Sequence, residues 1–255
     1  MTPQLLYKYF PPERISFFFK PTVRFTPTAE FNDPFEFKPA WNERGTHPQL
    51  IKLPSVNHTI SDGIASYSGT TDSNIELLDY VKYENDTRIY EDFSIAGVLC
   101  LTERCDNLLM WAHYAKSHAG FVIGFDRKNV FFNPKNENQA PIRSLVKIKY
   151  QEERPSVSSV GFKMHELFYI KSKDWAYEEE WRLVIGLPRN DEKFKGIENV
   201  PCSAIKSIIL GVRSCDELKL AAEDFIEDQK LKQNPIDIAC MTWDSSTYKL
   251  SKRNS

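Results

Sequence analysis

Features that mark several common protein classes are missing from this sequence. Lysine and arginine number 33 against 35 aspartate and glutamate residues, so the formal net charge is -2. Domains that grip nucleic acid through its phosphates are usually basic, so the overall charge does not favour that function, although a local basic patch stays open. No apolar run reaches the roughly 18 residues of a membrane span, and the N-terminus has no apolar signal core. We therefore expect a cytoplasmic protein without a membrane partner.

Motifs of several enzyme classes are missing too. There is no glycine-rich phosphate loop and no G-x-S-x-G nucleophile elbow. The five cysteines are widely spaced and include no C-x-x-C pair, which argues against a zinc ribbon or a thioredoxin-like centre. Two of them, Cys100 and Cys240, lie in apolar runs and are expected to be buried small hydrophobic residues.

The composition is that of a folded protein. Hydrophobic residues make up 41% of the 255 residues and charged residues 27%, which is typical of a globular chain. This length suits one large domain. We therefore expect a single domain over residues 1–255, with a polar, turn-rich and mobile insertion at about 42–73.

Hydrophobic periodicity predicts more strands than helices. Strands are predicted at residues 5–9, 23–26, 98–102, 121–126, 145–150, 181–187, 204–212, 236–243 and 247–250. Helices are predicted at 13–20 and 74–93, from a cap at Asp106 or Asn107 to Gly120, at 160–170, and from a Ser214–Glu217 capping box to about Gln233. Because strands and helices do not alternate regularly, we predict an α+β fold with a twisted, mainly antiparallel or split sheet flanked by helices.

The helix predicted over residues 110–120 concentrates side chains that are costly to bury. It carries Trp111, His113, Tyr114 and His118, whose N–H and O–H groups need partners away from water. Either the helix docks on the sheet through its aromatic rings, with the histidines at the rim, or it contributes to a functional site. The two histidines are five residues apart rather than the four of a zinc-binding helix, so no metal is expected there.

A second candidate lies at residues 175–184, WAYEEEWRLV. If Glu180 opens a strand, Glu180 and Arg182 point to the same face. They form either an edge-strand ion pair of little consequence or a ligand site. In a ligand site, Glu180 would bond a hydroxyl or act as a base, and Arg182 would bind an anionic group.

Two short segments near the N-terminus add polar groups. Alternation places Tyr7 and Tyr9 on one face of a strand and Lys8 on the other. This is either a strand with one wet face or a hydrogen-bonding wall for a ligand. Asn32 and Asp33 lie in a turn, where capping of backbone N–H groups is the favoured role and ligand binding the alternative.

The order of these segments resembles the bacterial family named domain of unknown function 2971. The matching pieces are YKY at 7–9, FNDPFE at 31–36, MWAHYA at 110–115 with His118, GF at 120–121, GFD at 124–126, YEEEWR at 177–182 and IILG at 208–211. Together they run over most of the chain. One departure is Leu101-Thr102, which replaces an expected Phe-Ser pair but keeps a hydroxyl. No activity is assigned to that family, so the resemblance implies no reaction.

The layout is also similar, more distantly, to the ADP-ribosyltransferase fold, especially to bacterial toxins that modify DNA or RNA. This resemblance implies an enzyme that consumes NAD as its substrate, as a transferase or a glycohydrolase. Glu180 would stabilise an oxocarbenium-like transition state, Arg182 would bind the pyrophosphate, and Trp111 or Tyr114 would stack on a ring. The acceptor would be a nucleic-acid base, a protein side chain or a small molecule. The biological role would be in phage defence or as a toxin effector.

These considerations define the candidate site. The predicted catalytic residues are Glu180, His113 and Tyr114. The predicted substrate-binding residues are Tyr7, Lys8, Tyr9, Asn32, Asp33, Trp111, His118 and Arg182. Two other functions stay open: a non-catalytic module that senses or binds a ligand, and a metal-dependent nuclease or hydrolase. The second of these would use Asp33, Glu36, His113 and Glu180.

Overall fold

The computed structural model describes residues 3–38, 59–61, 64–66, 96–133, 144–155, 164–186 and 196–254. Its strands are β1 (Leu5–Phe10), β2 (Thr22–Arg24), β3 (Thr26–Pro27), β4 (Thr59–Ser61), β5 (Ile64–Ser66), β6 (Ala96–Thr102), β7 (Phe121–Asp126), β8 (Val146–Lys147), β9 (Lys149–Gln151), β10 (Ile170–Ser172), β11 (Glu180–Gly186), β12 (Ile197–Asn199), β13 (Ile205–Leu210), β14 (Asp237–Trp243) and β15 (Leu250–Asn254). Its α-helices are α1 (Leu108–Tyr114) and α2 (Asp216–Leu231). Short 3-10 helices lie at Pro12–Phe18, Thr28–Glu30, Met164–Tyr169, Lys173–Glu178 and Cys202–Ala204. The helix predicted at 74–93 lies outside the described residues, as does most of the insertion predicted at 42–73.

A nine-stranded sheet organises the described part of the chain. Its order is β15-β14-β13-β7-β1-β6-β11-β8, and β3 pairs with β6 beside this path. Neighbouring strands are antiparallel except for β13 and β14, which are joined through α2 and run parallel. The predicted α+β fold with a mainly antiparallel sheet is therefore confirmed.

The sheet is nearly divided between β1 and β6. β1 pairs with β7 along its whole length, whereas its described pairing with β6 is limited to Tyr7 opposite Thr102. Beyond this point β3 pairs with β6 in place of β1. The side chain of Lys8 reaches across the divide, and its Nζ donates a hydrogen bond to the backbone oxygen of Cys100 at 3.3 Å. The division thus places a lysine ammonium against the backbone of β6.

Helices cover both faces of the sheet. On one face, α2 buries Ala222 and Phe225 in the largest hydrophobic cluster, together with Phe121 of β7. On the other face, α1 buries Trp111 against Val122 of the same strand. Successive residues of β7 thus point into different cores, as strand geometry requires.

Helix α1 begins where the sequence predicts and ends earlier. The Oδ1 of Asn107 accepts hydrogen bonds from the N–H groups of Leu109 at 2.9 Å and Met110 at 3.2 Å, which confirms the predicted cap. The helix ends at Tyr114 rather than near residue 120. Residues 116–118 adopt positive φ angles of 45°, 53° and 70°, and this left-handed turn replaces the last predicted turn of helix.

The turn carries Gly120 into close contact with the end of β1. A Cβ at this position would lie 2.0 Å from the carbonyl oxygen of Phe10. Glycine is therefore required here because two backbone segments approach closely. The prediction that Gly120 ends the helix is wrong, because the helix already ends at Tyr114.

Two further predicted details are wrong. The residue before α2 is Cys215, which makes no side-chain cap, so the predicted Ser214–Glu217 capping box does not form. The last strand begins at Leu250 rather than Thr247, because the carboxylate of Asp244 accepts hydrogen bonds from the N–H groups of Ser246 and Thr247 and holds a turn there.

All five cysteines fall in the described ranges, and none of them forms a disulfide there. Cys100 and Cys240, expected to be buried, are partly exposed, and Cys105 is the buried one. Within the described ranges, none of the helices combines the length and the apolar character that a membrane crossing needs.

Candidate functional site

Strand β11 begins with two charged residues on one face. Glu180 and Arg182 lie opposite Thr102 and Cys100 of β6, as the alternation predicts. Only 3% of Glu180 and none of Arg182 is exposed to solvent. Since β11 is flanked by both β6 and β8, this is not an ion pair at an exposed sheet edge.

Five charged side chains meet here in what we term the buried ion cluster: Glu36, Lys171, Glu178, Glu180 and Arg182. The guanidinium donates to Glu180, from Nε to Oε1 at 2.7 Å and from Nη2 to Oε2 at 3.2 Å. The Nζ of Lys171 donates to Oε2 of Glu178 at 2.7 Å and to Oε2 of Glu180 at 3.0 Å. All five residues are more than nine-tenths buried. Removing one partner would therefore leave an uncompensated charge away from water.

The remaining faces of Arg182 contact other protein groups. Its Nη1 donates to the backbone oxygen of Phe168 at 3.0 Å, and its Nη2 forms an ion pair with Glu36. The rings of Phe31 and Phe37 lie 5.4 Å and 5.3 Å from its central carbon. In this conformation the guanidinium predicted to bind a pyrophosphate is fully occupied by the protein itself.

The cluster keeps Glu180 ionised. Burial alone would raise the pKa of Glu180, but the charges of Arg182 and Lys171 outweigh it and bring the pKa down to about 2. Burial likewise works to lower the pKa of Lys171, and the carboxylates, Glu180 foremost, more than compensate and raise it. At neutral pH the cluster therefore contains a charged lysine and a charged Glu180.

Glu36 is the least well satisfied member. Its Oε1 meets Arg182 and lies 3.8 Å from Nζ of Lys171. Its Oε2 is buried and has no hydrogen-bond partner among the described residues. Burial raises the pKa of Glu36 despite the opposing effect of Arg182. Three carboxylates face two cations in the cluster, and Arg182 is the one hydrogen-bond partner described for the Glu36 carboxylate.

A left-handed residue explains why two nearby glutamates both point inward. Glu179 has φ 44° and ψ 50° between the 3-10 helix that ends at Glu178 and the strand that begins at Glu180. Its own side chain points out and lies 3.4 Å from Arg104 on the surface. The backbone oxygen of Glu178 accepts a hydrogen bond from the hydroxyl of Thr102, the residue that replaces the serine of the family pattern.

Two tyrosine hydroxyls border the cluster. The hydroxyl of Tyr114 donates to Oε1 of Glu178 at 2.6 Å, and that of Tyr150 accepts from the N–H of Glu180 at 2.8 Å. Burial, and then the charge of Glu178, raise the pKa of Tyr114. Tyr114, a predicted catalytic residue, therefore keeps its proton at neutral pH and donates a hydrogen bond to the cluster.

Lys8 approaches the cluster from β1. It is half-buried, and burial lowers its pKa, while the charge of Glu180 acts in the opposite direction. The predicted residues that meet in one region are thus Glu180, Arg182, Tyr114 and Lys8.

Trp111 does not belong to the ion cluster but to the hydrophobic cluster between α1 and the sheet. Its Nε1 donates to the backbone oxygen of Cys105 at 2.8 Å, and its ring meets Tyr9 edge-on at 5.3 Å and stacks with His118 at 6.3 Å. Tyr7 packs against the same cluster. These contacts support the docking interpretation of α1.

Other predicted site residues lie apart from the ion cluster. His113 and Asn32 are exposed. Asp33 caps its own turn, because its Oδ1 accepts a hydrogen bond from the N–H of Phe35 at 2.8 Å. Of the four residues in the metal-dependent hypothesis, Glu36 and Glu180 meet at Arg182, whereas Asp33 and His113 lie apart. Among the described residues, no group of three or more His, Cys, Asp or Glu side chains is arranged to hold a metal ion.

Sequence reasoning missed Lys171, Glu178 and Tyr150. Glu178 lies two positions before Glu180 in an EEE run, and this spacing was a usable signal. Lys171 lies in a short strand, β10, that no periodicity distinguishes. Tyr150 follows β8, and its role depends on the pairing of that segment with β11.

The fold and the site together define a mixed α+β protein that carries a buried ion cluster at the start of an inner strand. Residues 110–183 match the model of the family described as a protein of unknown function (DUF2971), which confirms the resemblance seen in the sequence. This range runs from α1 to β11 and includes every member of the ion cluster except Glu36. Neither the curated proteins nor the solved structures include a significant match to the chain.

Proposed function

We propose that this protein is an NAD-consuming enzyme of the ADP-ribosyltransferase type, a transferase or a glycohydrolase, with Glu180 as its catalytic carboxylate. The observation that carries the proposal is the position of Glu180, a buried carboxylate that Arg182 and Lys171 hold through three hydrogen bonds. Cleavage of the nicotinamide–ribose bond develops positive charge on the ribose. A fixed, ionised carboxylate in a poorly hydrated site stabilises such a transition state.

The surroundings of Glu180 support the same chemistry. The ring of Trp175 lies 4.9 Å from Nζ of Lys171, at the edge of the ion cluster. The hydroxyls of Tyr114 and Tyr150 lie on either side of the two glutamates. Aromatic rings of this kind stack on nicotinamide or adenine, and their hydroxyls bond ribose oxygens.

The proposal gives each of these residues a different role. Glu180 is the carboxylate that contacts the reacting ribose, and Arg182 and Lys171 position it. Tyr114 orients Glu178 through its hydroxyl. His113 is exposed and takes no part in the chemistry under this proposal.

The acceptor and the biological role extend the proposal by resemblance. A nucleic-acid base, a protein side chain or a small molecule would receive the ADP-ribose, and water would receive it in the glycohydrolase case. Phage defence or toxin activity is the setting that we propose for such a reaction.

The direct test is nicotinamide release from NAD by the purified wild type and two neighbouring variants. Glu180→Gln removes the charge, and we expect it to lower the rate by at least about 100-fold. Glu179→Gln, an outward-pointing glutamate one residue away, is the matched control and should keep the wild-type rate within about twofold.

Glu180→Asp guards against loss of fold in the first variant. It retains the charge and withdraws it by one methylene, so circular dichroism should show a folded protein with a reduced rate. The proposal fails if wild type releases no nicotinamide above the buffer rate, or if folded Glu180→Gln keeps the wild-type rate.

A second candidate is a non-catalytic module that binds a nucleotide. The observation that favours it is that both oxygens of Glu180 are already bonded to Arg182 or Lys171. It predicts that calorimetry detects NAD binding while the assay detects no nicotinamide.

A further inference from the structure

One loop supplies three of the contacts that cover Arg182. Phe31, Glu36 and Phe37 all lie in residues 31–37, and two rings and a carboxylate from this loop meet the guanidinium. The other described contacts come from Glu180 and from the backbone of Phe168. If this loop moved away, Nη2 would lose Glu36 and keep its bond to Glu180 at 3.2 Å, and the guanidinium would lose its contacts with the two rings.

The carboxylate of Glu36 fits its place incompletely. One oxygen meets Arg182, yet Nζ of Lys171 is 3.8 Å from it, beyond good hydrogen-bonding distance. The other oxygen is buried without a partner among the described residues, although buried polar atoms are normally bonded. The two cations thus form an anion site in which the Glu36 carboxylate makes fewer hydrogen bonds than the site allows. A phosphate group presents more acceptor oxygens and can bond both cations.

The backbone beside Glu36 is also unusual. Phe37 has a φ of 59°, in the left-handed region that bulky residues rarely adopt. Such conformations persist when the surroundings impose them, and they cluster at ligand clamps and switches. Here the ring of Phe37 lies against Arg182, so the strained residue and the displaceable carboxylate are neighbours.

We propose that Arg182 and Lys171 form a binding site for the diphosphate of a dinucleotide. In the absence of this ligand, the carboxylate of Glu36 occupies the site. The identity of the ligand rests on the proposed function. Lys171 and Arg182 are balanced by Glu178 and Glu180, and Glu36 adds a third carboxylate. A diphosphate would exchange one anionic group for another, so the cations would not lose their counter-charge when the loop leaves.

The test measures the affinity for inorganic pyrophosphate by calorimetry. Glu36→Gln removes the competing charge, and we expect it to bind pyrophosphate at least about tenfold more tightly than wild type. The matched control is Glu30→Gln, a surface glutamate just before the same loop that pairs with Arg24, and it should bind like wild type. Adding Arg182→Lys to Glu36→Gln should abolish the gain. Equal affinity of Glu36→Gln and wild type would overturn the proposal.

A second measurement covers the case in which Glu36→Gln does not fold. Hydrogen exchange of the amides of residues 31–37 in wild type should become faster when pyrophosphate is added, because the loop then loses its contacts with Arg182. Unchanged or slower exchange at saturating pyrophosphate would overturn the proposal.

The two proposals can fail separately. Pyrophosphate binding without nicotinamide release from NAD would keep the anion site and reject the proposed reaction. Nicotinamide release without pyrophosphate binding would keep the reaction and reject the anion site.

Discussion

The pKa values of Glu36 and Glu180, which contact the same guanidinium, shift in opposite directions. Glu180 receives two hydrogen bonds from Arg182 and one from Lys171, and its pKa falls to about 2. Glu36 meets Arg182 through one oxygen and leaves the other unbonded, and its pKa rises because burial dominates. The number of donors around each carboxylate therefore decides the direction in which its pKa shifts.

The depressed pKa of Glu180 predicts a loss of stability in acid. Its folded pKa is about 2 against an ordinary value of 4.5. The stabilisation is therefore complete above about pH 4.5 and is lost as the pH falls towards 2, about 3 kcal/mol in all. Urea unfolding should show the free-energy advantage of wild type over Glu180→Gln shrinking by about 2 kcal/mol between pH 7 and pH 3.

Glu36 acts in the opposite direction, since its raised pKa favours the folded state in acid. The comparison with Glu180→Gln removes the part of this contribution that comes from burial, while the part that comes from the charge of Glu180 is lost in the variant. A constant difference for Glu180→Gln would show that the cluster does not hold Glu180 ionised.

Among the secondary-structure elements, α1 has its two ends fixed by the cap residue before it and by the turn after it. Asn107 caps the helix and also donates from Nδ2 to the backbone oxygen of Tyr177 at 3.0 Å. The cap thereby joins α1 to the segment that leads into Glu178 and Glu180. This connection places Tyr114, one helix length away, over Glu178.

Loss of the cap should weaken the whole arrangement. Asn107→Ala removes the acceptor for two N–H groups and the bond to Tyr177, and we expect it to lower the free energy of unfolding by about 1–2 kcal/mol. The exposed Asn32→Ala is the control and should change it by less than about 0.5 kcal/mol. Chemical denaturation measures both, and equal effects of the two changes would contradict the capping role.

The beginning of α1 was predictable and its end was not. Asn107 precedes an apolar helical pattern and is a standard cap residue, so local sequence was enough. The end depends on residues 116–118 turning so that Gly120 meets Phe10, a contact with a strand more than a hundred positions earlier. Likewise, alternation predicts that Glu180 and Arg182 share a face, whereas their depth depends on the strands that β11 joins.

At the scale of the whole molecule, the sheet assembles the site from distant segments. Glu36 comes from a loop after β3, Lys171 from β10, and Glu180 from β11. Their convergence was not predictable from spacing, because it results from the order of strands and from the divide between β1 and β6. Two segments singled out in the sequence, FNDPFE and YEEEWR, supply four of the five clustered residues, and the second of them lies within the family match at 110–183. The single-domain organisation of residues 1–255 stays a prediction.

The proposed role of Glu180 in NAD cleavage has a decisive test in mass spectrometry with NAD labelled in its ADP-ribose part. Wild type and Glu179→Gln should convert the label to ADP-ribose, free or attached to an acceptor, and Glu180→Gln should leave NAD intact. Intact NAD with folded wild type, or equal conversion by Glu180→Gln, would contradict the account.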